Sequence, residues 1–145
     1  MDRRHFLGAL AGSTLALPAL ATAARADLPA LRFRDLYRRG TELTDYATGL
    51  VSQRIEMVGY MAPPLKPEIN FFVLTRLPMA TCPFCNDAAD WPTDLVLAFS
   101  PRPIEVVRYS DLIRVEGNLE AGFETDAETG FVSYLRLQDI TYTRL

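Results

Sequence analysis

Two residues separate the only cysteines of the chain, in Cys82-Pro83-Phe84-Cys85, and Asp87, Asp90 and the only tryptophan, Trp91, follow within six positions. Three chemistries are open to such a group. In an oxidising compartment two cysteines pair, and a disulfide across so short a loop fixes its shape more than it stabilises the fold. A thiolate pair beside two carboxylates offers four ligands of types that zinc accepts. A dithiol can also exchange with other disulfides, provided that its first thiol is held as a thiolate. Around the cysteines, Phe84, Asp87, Asp90 and Trp91 are the candidate ligand-binding side chains of the loop.

The local residues weigh these chemistries differently. Cys-Pro-Phe-Cys is similar to the active-site motif of glutaredoxins and thioredoxin-like oxidoreductases, in which a helix N-terminus lowers the pKa of the first thiol. Those proteins follow the motif with a long helix, whereas Pro92 stops any helix here after about two turns. No Lys or Arg lies between Leu77 and Ser100, and Asp87 and Asp90 add negative charge, which disfavours a thiolate. A zinc site built on Cys82 and Cys85 alone is half complete, and carboxylates seldom finish a structural one. The disulfide, or a loop with free thiols that serves binding, fits these residues better than catalysis, and no catalytic residue is assigned.

The loop lies between two apolar runs, Phe71-Phe72-Val73-Leu74, within a strand read over Asn70 to Leu77, and Leu95-Val96-Leu97-Ala98-Phe99, read as a second strand. Upstream, Arg54 to Met61 alternates in polarity with Gly59 inside it, a sign of a bulge or sharp bend. Ala62 to Pro67 holds three prolines and must be a loop. Downstream, Ile104 to Val107 reads as a short edge strand. Leu112 to Ala121 and Phe131 to Arg144 alternate with period two, joined by a hairpin turn at Asp126-Ala127-Glu128-Thr129-Gly130. Ahead of these strands, Phe33, Leu36 and Tyr37 make one apolar stripe. That spacing predicts a short helix over Leu31 to Gly40 with Gly40 past its C-terminus. Residues 41–52 read as a less regular linker with a turn at Gly49.

Residues 1–26 read as an address. Arg3-Arg4-His5-Phe6-Leu7 resembles the twin-arginine export signal, a mildly apolar segment follows, and Ala24-Arg25-Ala26 suits a signal peptidase. The expected location is the periplasm, with membrane attachment only through an uncleaved signal. Cleavage would take three of the 15 basic residues and one of the 18 acidic ones, leaving 12 and 17 and a net charge of −5. Such a domain is a poor ligand for nucleic acid. It would also lose His5, the only histidine, and with it Ser-His-Asp or Cys-His catalysis within one chain.

Five or six strands with one short N-terminal helix predict a mostly β fold, a small antiparallel barrel of the oligonucleotide/oligosaccharide-binding (OB) type. The expected organisation is a signal over 1–26, a helix and linker over 27–52, and the barrel over 53–145. Two prolines between Ser100 and Asp111 leave little room for the helix that this fold usually carries between its third and fourth strands. Three pieces, Gln53 to Pro63, Phe71 to Leu74 and Val115-Glu116-Gly117, together resemble a family of small exported bacterial proteins of unknown function. Members of that family often carry adjacent cysteines in this loop; here Pro83-Phe84 separates them. The resemblance implies an OB-type barrel outside the cytoplasm that acts as an accessory to envelope transport, with an envelope protein or a small ligand as partner. The alternative is a thiol–disulfide oxidoreductase or a metal-binding protein using Cys82 and Cys85. No cofactor is expected under the first reading, and zinc only under the second.

Overall fold

The structure is a computed structural model that describes residues 27–64, 68–80, 95–128 and 130–145. It is mostly β. Five strands carry the architecture: β3 (Arg54–Met61), β4 (Phe71–Thr75), β5 (Leu95–Phe99), β6 (Leu112–Thr125) and β7 (Val132–Arg144). Their ladders run β3-β4-β5-β7-β6 and return to β3, the OB order. All pairs are antiparallel except β5 with β7, which are parallel through Leu97↔Arg136 and Ala98↔Leu137. That seam and the β3–β4 seam, Tyr60↔Thr75 and Met61↔Leu74, have two residue pairs each. The barrel is therefore held mainly by the long β3–β6 and β6–β7 ladders and is only lightly laced elsewhere.

Sequence pattern explains the layering. Along β3 and β6 one set of alternate residues is buried and the other half-exposed, as expected for strands with one face on the core. Ile55, Met57, Phe72, Leu74, Val96, Ala98, Ile113, Val115, Leu119, Leu135 and Leu137 belong to the core cluster. β4 and β5 are buried on both faces, so apart from Thr75 at the end of β4 they are apolar at every position rather than at alternate ones. Their second face, Phe71, Val73, Leu95 and Leu97, forms a separate cluster with Ala62, against which Ile69, Met79, Phe99 and Phe131 pack.

Three expectations outside the five strands are corrected. Residues 31–40 do not form the predicted helix. Phe33–Asp35 makes one 3-10 turn, and Tyr37–Arg39 (β1) then runs extended and pairs with Glu42–Leu43 (β2) around Gly40. The stripe of Phe33, Leu36 and Tyr37 is real, but tertiary bonds claim its backbone. The Leu31 N–H donates to Glu56 O at 2.9 Å, the Glu56 N–H donates to Pro29 O at 3.0 Å, and the Thr44 hydroxyl caps Asp35 O at 2.6 Å. Packing has overridden a local preference that is weak for so short a segment. The helix α1 is Asp45–Leu50, inside the stretch expected to be a linker. Its start signal is Thr44, whose side chain accepts from the Ala47 N–H at 3.1 Å, an N-cap bond. Ala47 and Leu50 join the barrel core. Ile104 to Val107 is no edge strand: Tyr142 brackets Glu105, accepting from its N–H at 2.9 Å and donating to its carbonyl at 3.0 Å. The Val107 N–H meets Met61 Sδ at 3.4 Å. Side chains satisfy that backbone in place of a ladder.

The β6–β7 ladder carries two register shifts, between Glu116 and Asn118 and between Ala121 and Glu124. The first puts an extra residue into β7, where Asp139 has φ 51°; the second puts one into β6, where Gly122 has φ 129°. They cancel, so the hairpin closes in register at Asp126, whose N–H donates to Phe131 O at 2.8 Å. The expected turn is present, with the Gly130 N–H on Asp126 O at 2.8 Å. Gly117 sits beside the first shift because a Cβ there would lie 2.9 Å from Ile140 Cγ2 and 3.0 Å from Gln138 O.

Gly59 is not a bulge. The β3–β6 register is unbroken through it. A Cβ at this position would lie 2.5 Å from Thr75 O, 3.0 Å from Phe33 and 3.2 Å from Leu74, so the glycine marks a close approach of backbone. Gly59→Ala is expected to lower stability by about 1–3 kcal/mol, the usual cost of overpacking. Gly49→Ala, in α1 with open space around it, is expected to raise it by roughly 0.5–1 kcal/mol. Urea denaturation of the two variants checks the contrast.

Candidate functional site

The segment that the sequence marks for chemistry runs from the end of β4 to the start of β5. Cys82, Phe84, Cys85, Asp87, Asp90 and Trp91 all fall within 81–94, outside the described residues. What the structure describes is how the ends of that segment are held. β4 and β5 pair through five consecutive positions, Phe71↔Phe99 to Thr75↔Leu95. Thr75, 2% exposed, ends β4. Its hydroxyl donates to Leu77 O at 2.8 Å and lies 3.2 Å from Tyr60 O, which bends the chain out of the ladder. Met79, just before the segment, packs on the second cluster. Leu77, between them, is 62% exposed.

At the parallel seam the outer side of β7 carries Arg136, 5% exposed. Its guanidinium meets Glu124 Oε2 at 3.0 Å and Glu120 Oε2 at 3.5 Å. It donates to Gly122 O at 2.7 Å and to the Ser133 hydroxyl at 3.2 Å. A charge this buried is tolerable only when paired and hydrogen-bonded, and here it ties both sides of the second bulge together. The pattern of β7 marks Arg136 only as one of its outward polar residues. The missed signal is the hairpin register, which sets it opposite Glu120.

Near the same end of the β6–β7 hairpin, Phe123 is 74% exposed. Its ring lies 4.9 Å from that of Tyr134, which lies 6.3 Å from that of Tyr37. The Tyr37 hydroxyl is buried and finds no partner among the described residues. Burial, and secondarily the neighbouring Tyr134, push its pKa up from 10.0 to about 12. Among the described residues no three His, Cys, Asp or Glu side chains gather in a metal-holding group, and no helix is long and apolar enough to cross a membrane.

No protein-family model and no curated protein matches the chain. Among solved structures, a DUF3299 family protein from Pseudomonas aeruginosa PAO1 is similar to it, with a TM-score of 0.54 and 15% identity over 81% of this chain and 96% of that chain. The likeness is one of fold.

Tyr37 sets a pH dependence whose sign follows from its raised pKa. Between about pH 10 and 12 the unfolded chain has released this proton while the folded chain keeps it. Stability is therefore full below about 10 and falls as pH rises through that window. Tyr37→Phe is expected to flatten the alkaline fall and to leave stability near neutrality equal or higher, since a buried unsatisfied hydroxyl is removed. Urea midpoints near pH 7 and near pH 11 check this. An unchanged alkaline slope would contradict it.

Proposed function

We propose that the protein is an exported, non-catalytic binding or accessory module. It presents Cys82-Pro83-Phe84-Cys85 from one end of an OB-like barrel to an envelope protein or a small ligand, within an envelope transport or assembly system. One observation carries this reading: the segment is strung between the two strands that are buried on both faces. A loop so held suits a fixed surface for recognition, because ordering costs at its two ends are already met. Composition supports the same view. No histidine lies beyond His5, and no cation lies between Leu77 and Ser100 to lower a thiol pKa. Among the described residues there is one α-helix, of six residues, and thioredoxin-like enzymes place their reactive thiol on a long one.

Alkylation of the reduced full-length protein against pH tests this. Cys82 is expected to titrate at or above the ordinary thiol value of about 8.5, with no reduction of insulin. A midpoint below about 7, or rapid insulin reduction, would replace this reading with the thiol–disulfide alternative. Stoichiometric zinc in protein purified without chelator would replace it with the metal-binding one. Export has its own test: Arg3→Lys with Arg4→Lys is expected to leave a longer precursor in the cytoplasm.

A further inference from the structure

The β6–β7 hairpin runs on past the barrel that carries it. β6 last bonds to the β3 side at Leu119, whose N–H donates to Gln53 O at 2.9 Å and whose carbonyl accepts from the Ser52 N–H at 2.8 Å. From Glu120 to Thr125 its backbone pairs, among the described residues, with β7 alone. β7 in turn pairs only with β6 from Val132 to Leu135 and reaches β5 at Arg136. The far end of the hairpin is thus a two-stranded ribbon whose β6 edge is unpaired. Such an edge can take up a further strand through main-chain hydrogen bonds.

The side chains along the ribbon select the kind of strand. Phe123 sits on the edge strand, 74% exposed, with its ring 4.9 Å from that of Tyr134. Val132, 45% exposed, shares the Tyr134 face by alternation. An apolar surface therefore lies beside the open edge. Charge is the second selector. Residues 119–136 hold four acids, Glu120, Glu124, Asp126 and Glu128, and one base, Arg136, so the ribbon carries −3 of the net −5 between 27 and 145. Arg136 lies 3.5 Å from Glu120 Oε2 and 3.0 Å from Glu124 Oε2, and one guanidinium offsets only one of these two charges. Both glutamate side chains remain about half exposed. Pairing of two copies across this edge would set the acids of one against those of the other, which disfavours the ladder.

We propose that the β6 edge of this ribbon takes up an extended, basic segment of a partner protein as an added strand. The backbone of 120–125 supplies the ladder. An apolar side chain of the segment packs on Phe123, and its lysines or arginines meet Glu120 and Glu124. The acidic ribbon draws such a segment in and turns acidic ones away. Nothing in this reading depends on the cysteine segment, so it stands or falls separately from the proposed function.

The test is an amide-resolved NMR titration of the full-length protein with three synthetic peptides. The first is acetyl-Thr-Lys-Thr-Phe-Thr-Lys-Thr-amide. The second has glutamates in place of its lysines, and the third is the lysine peptide methylated at every backbone nitrogen. The lysine peptide is expected to give saturable shifts centred on the amides of 120–125, and the other two to bind at least about ten-fold more weakly. Phe123→Ser should weaken the lysine peptide by at least about ten-fold and leave the melting temperature unchanged, because the ring is already in water. Equal binding of the lysine peptide and either counterpart, shifts centred elsewhere, an unaffected variant, or no saturable shift up to roughly 5 mM would each overturn the proposal. Concentration-dependent shifts of 120–125 in the protein alone would overturn it too, since a second copy would then occupy the edge. The wild-type comparison of the three peptides decides the matter even if the variant fails to fold.

Discussion

The carbonyl oxygen of Thr75 occupies the space that a side chain at position 59 would need. Much of the barrel depends on this contact. β3 is laddered to β6 as far as Tyr60↔Leu112 and takes up β4 at Tyr60↔Thr75. The change of partner happens within one residue, so the exit of β4 must press directly on the β3 backbone. Phe33 and Leu74 close in on the same glycine from two sides. A single missing Cβ therefore lets three elements converge: the N-terminal turn, the strand that opens the barrel, and the strand that leads into the cysteine segment.

Around that junction the stabilising terms are unevenly spread. The β3–β6 and β6–β7 ladders hold the barrel by length, and the compensating bulges let β7 lean from β6 to a parallel contact with β5 without losing hairpin register. β4 and β5 have short seams on their outer sides and depend instead on burial of both faces. At roughly 25 cal/mol per Å² of apolar surface, five-residue strands such as Phe71–Thr75 gain more from that double burial than from a few net hydrogen bonds of about 1 kcal/mol each. The buried Arg136, with its two glutamates, pins the one place where the parallel seam meets the bulged hairpin.

What was legible in the sequence follows from the same physics. Double burial leaves an unbroken apolar run, so β4 and β5 could be read with their bounds nearly right. One-sided burial leaves alternation, which marked β3, β6 and β7, and these five strands suffice for an OB-like barrel. Residues 31–40 misled because a stripe of Phe33, Leu36 and Tyr37 is the same whether a helix or a 3-10 turn followed by a strand presents it. The true helix over Asp45–Leu50 was announced only by its Thr44 cap. Gly59 stands out in the sequence, but a bulge and a close approach have the same one-letter signature. Arg136 is hidden in the sequence, because burial of a polar residue depends on register, which periodicity does not encode. The cysteine segment was the strongest chemical signal in the sequence, and its residues lie outside those described.

If β4 and β5 are a rigid mount, they hold the ends of the cysteine segment whatever the state of Cys82 and Cys85. Native-state hydrogen exchange on the oxidised protein and on the Cys82→Ser, Cys85→Ser variant measures this most directly. Amides of 71–75 and 95–99 are expected to open only with global unfolding in both proteins. Exchange there through local opening, or protection lost when the cysteines are replaced, would contradict it.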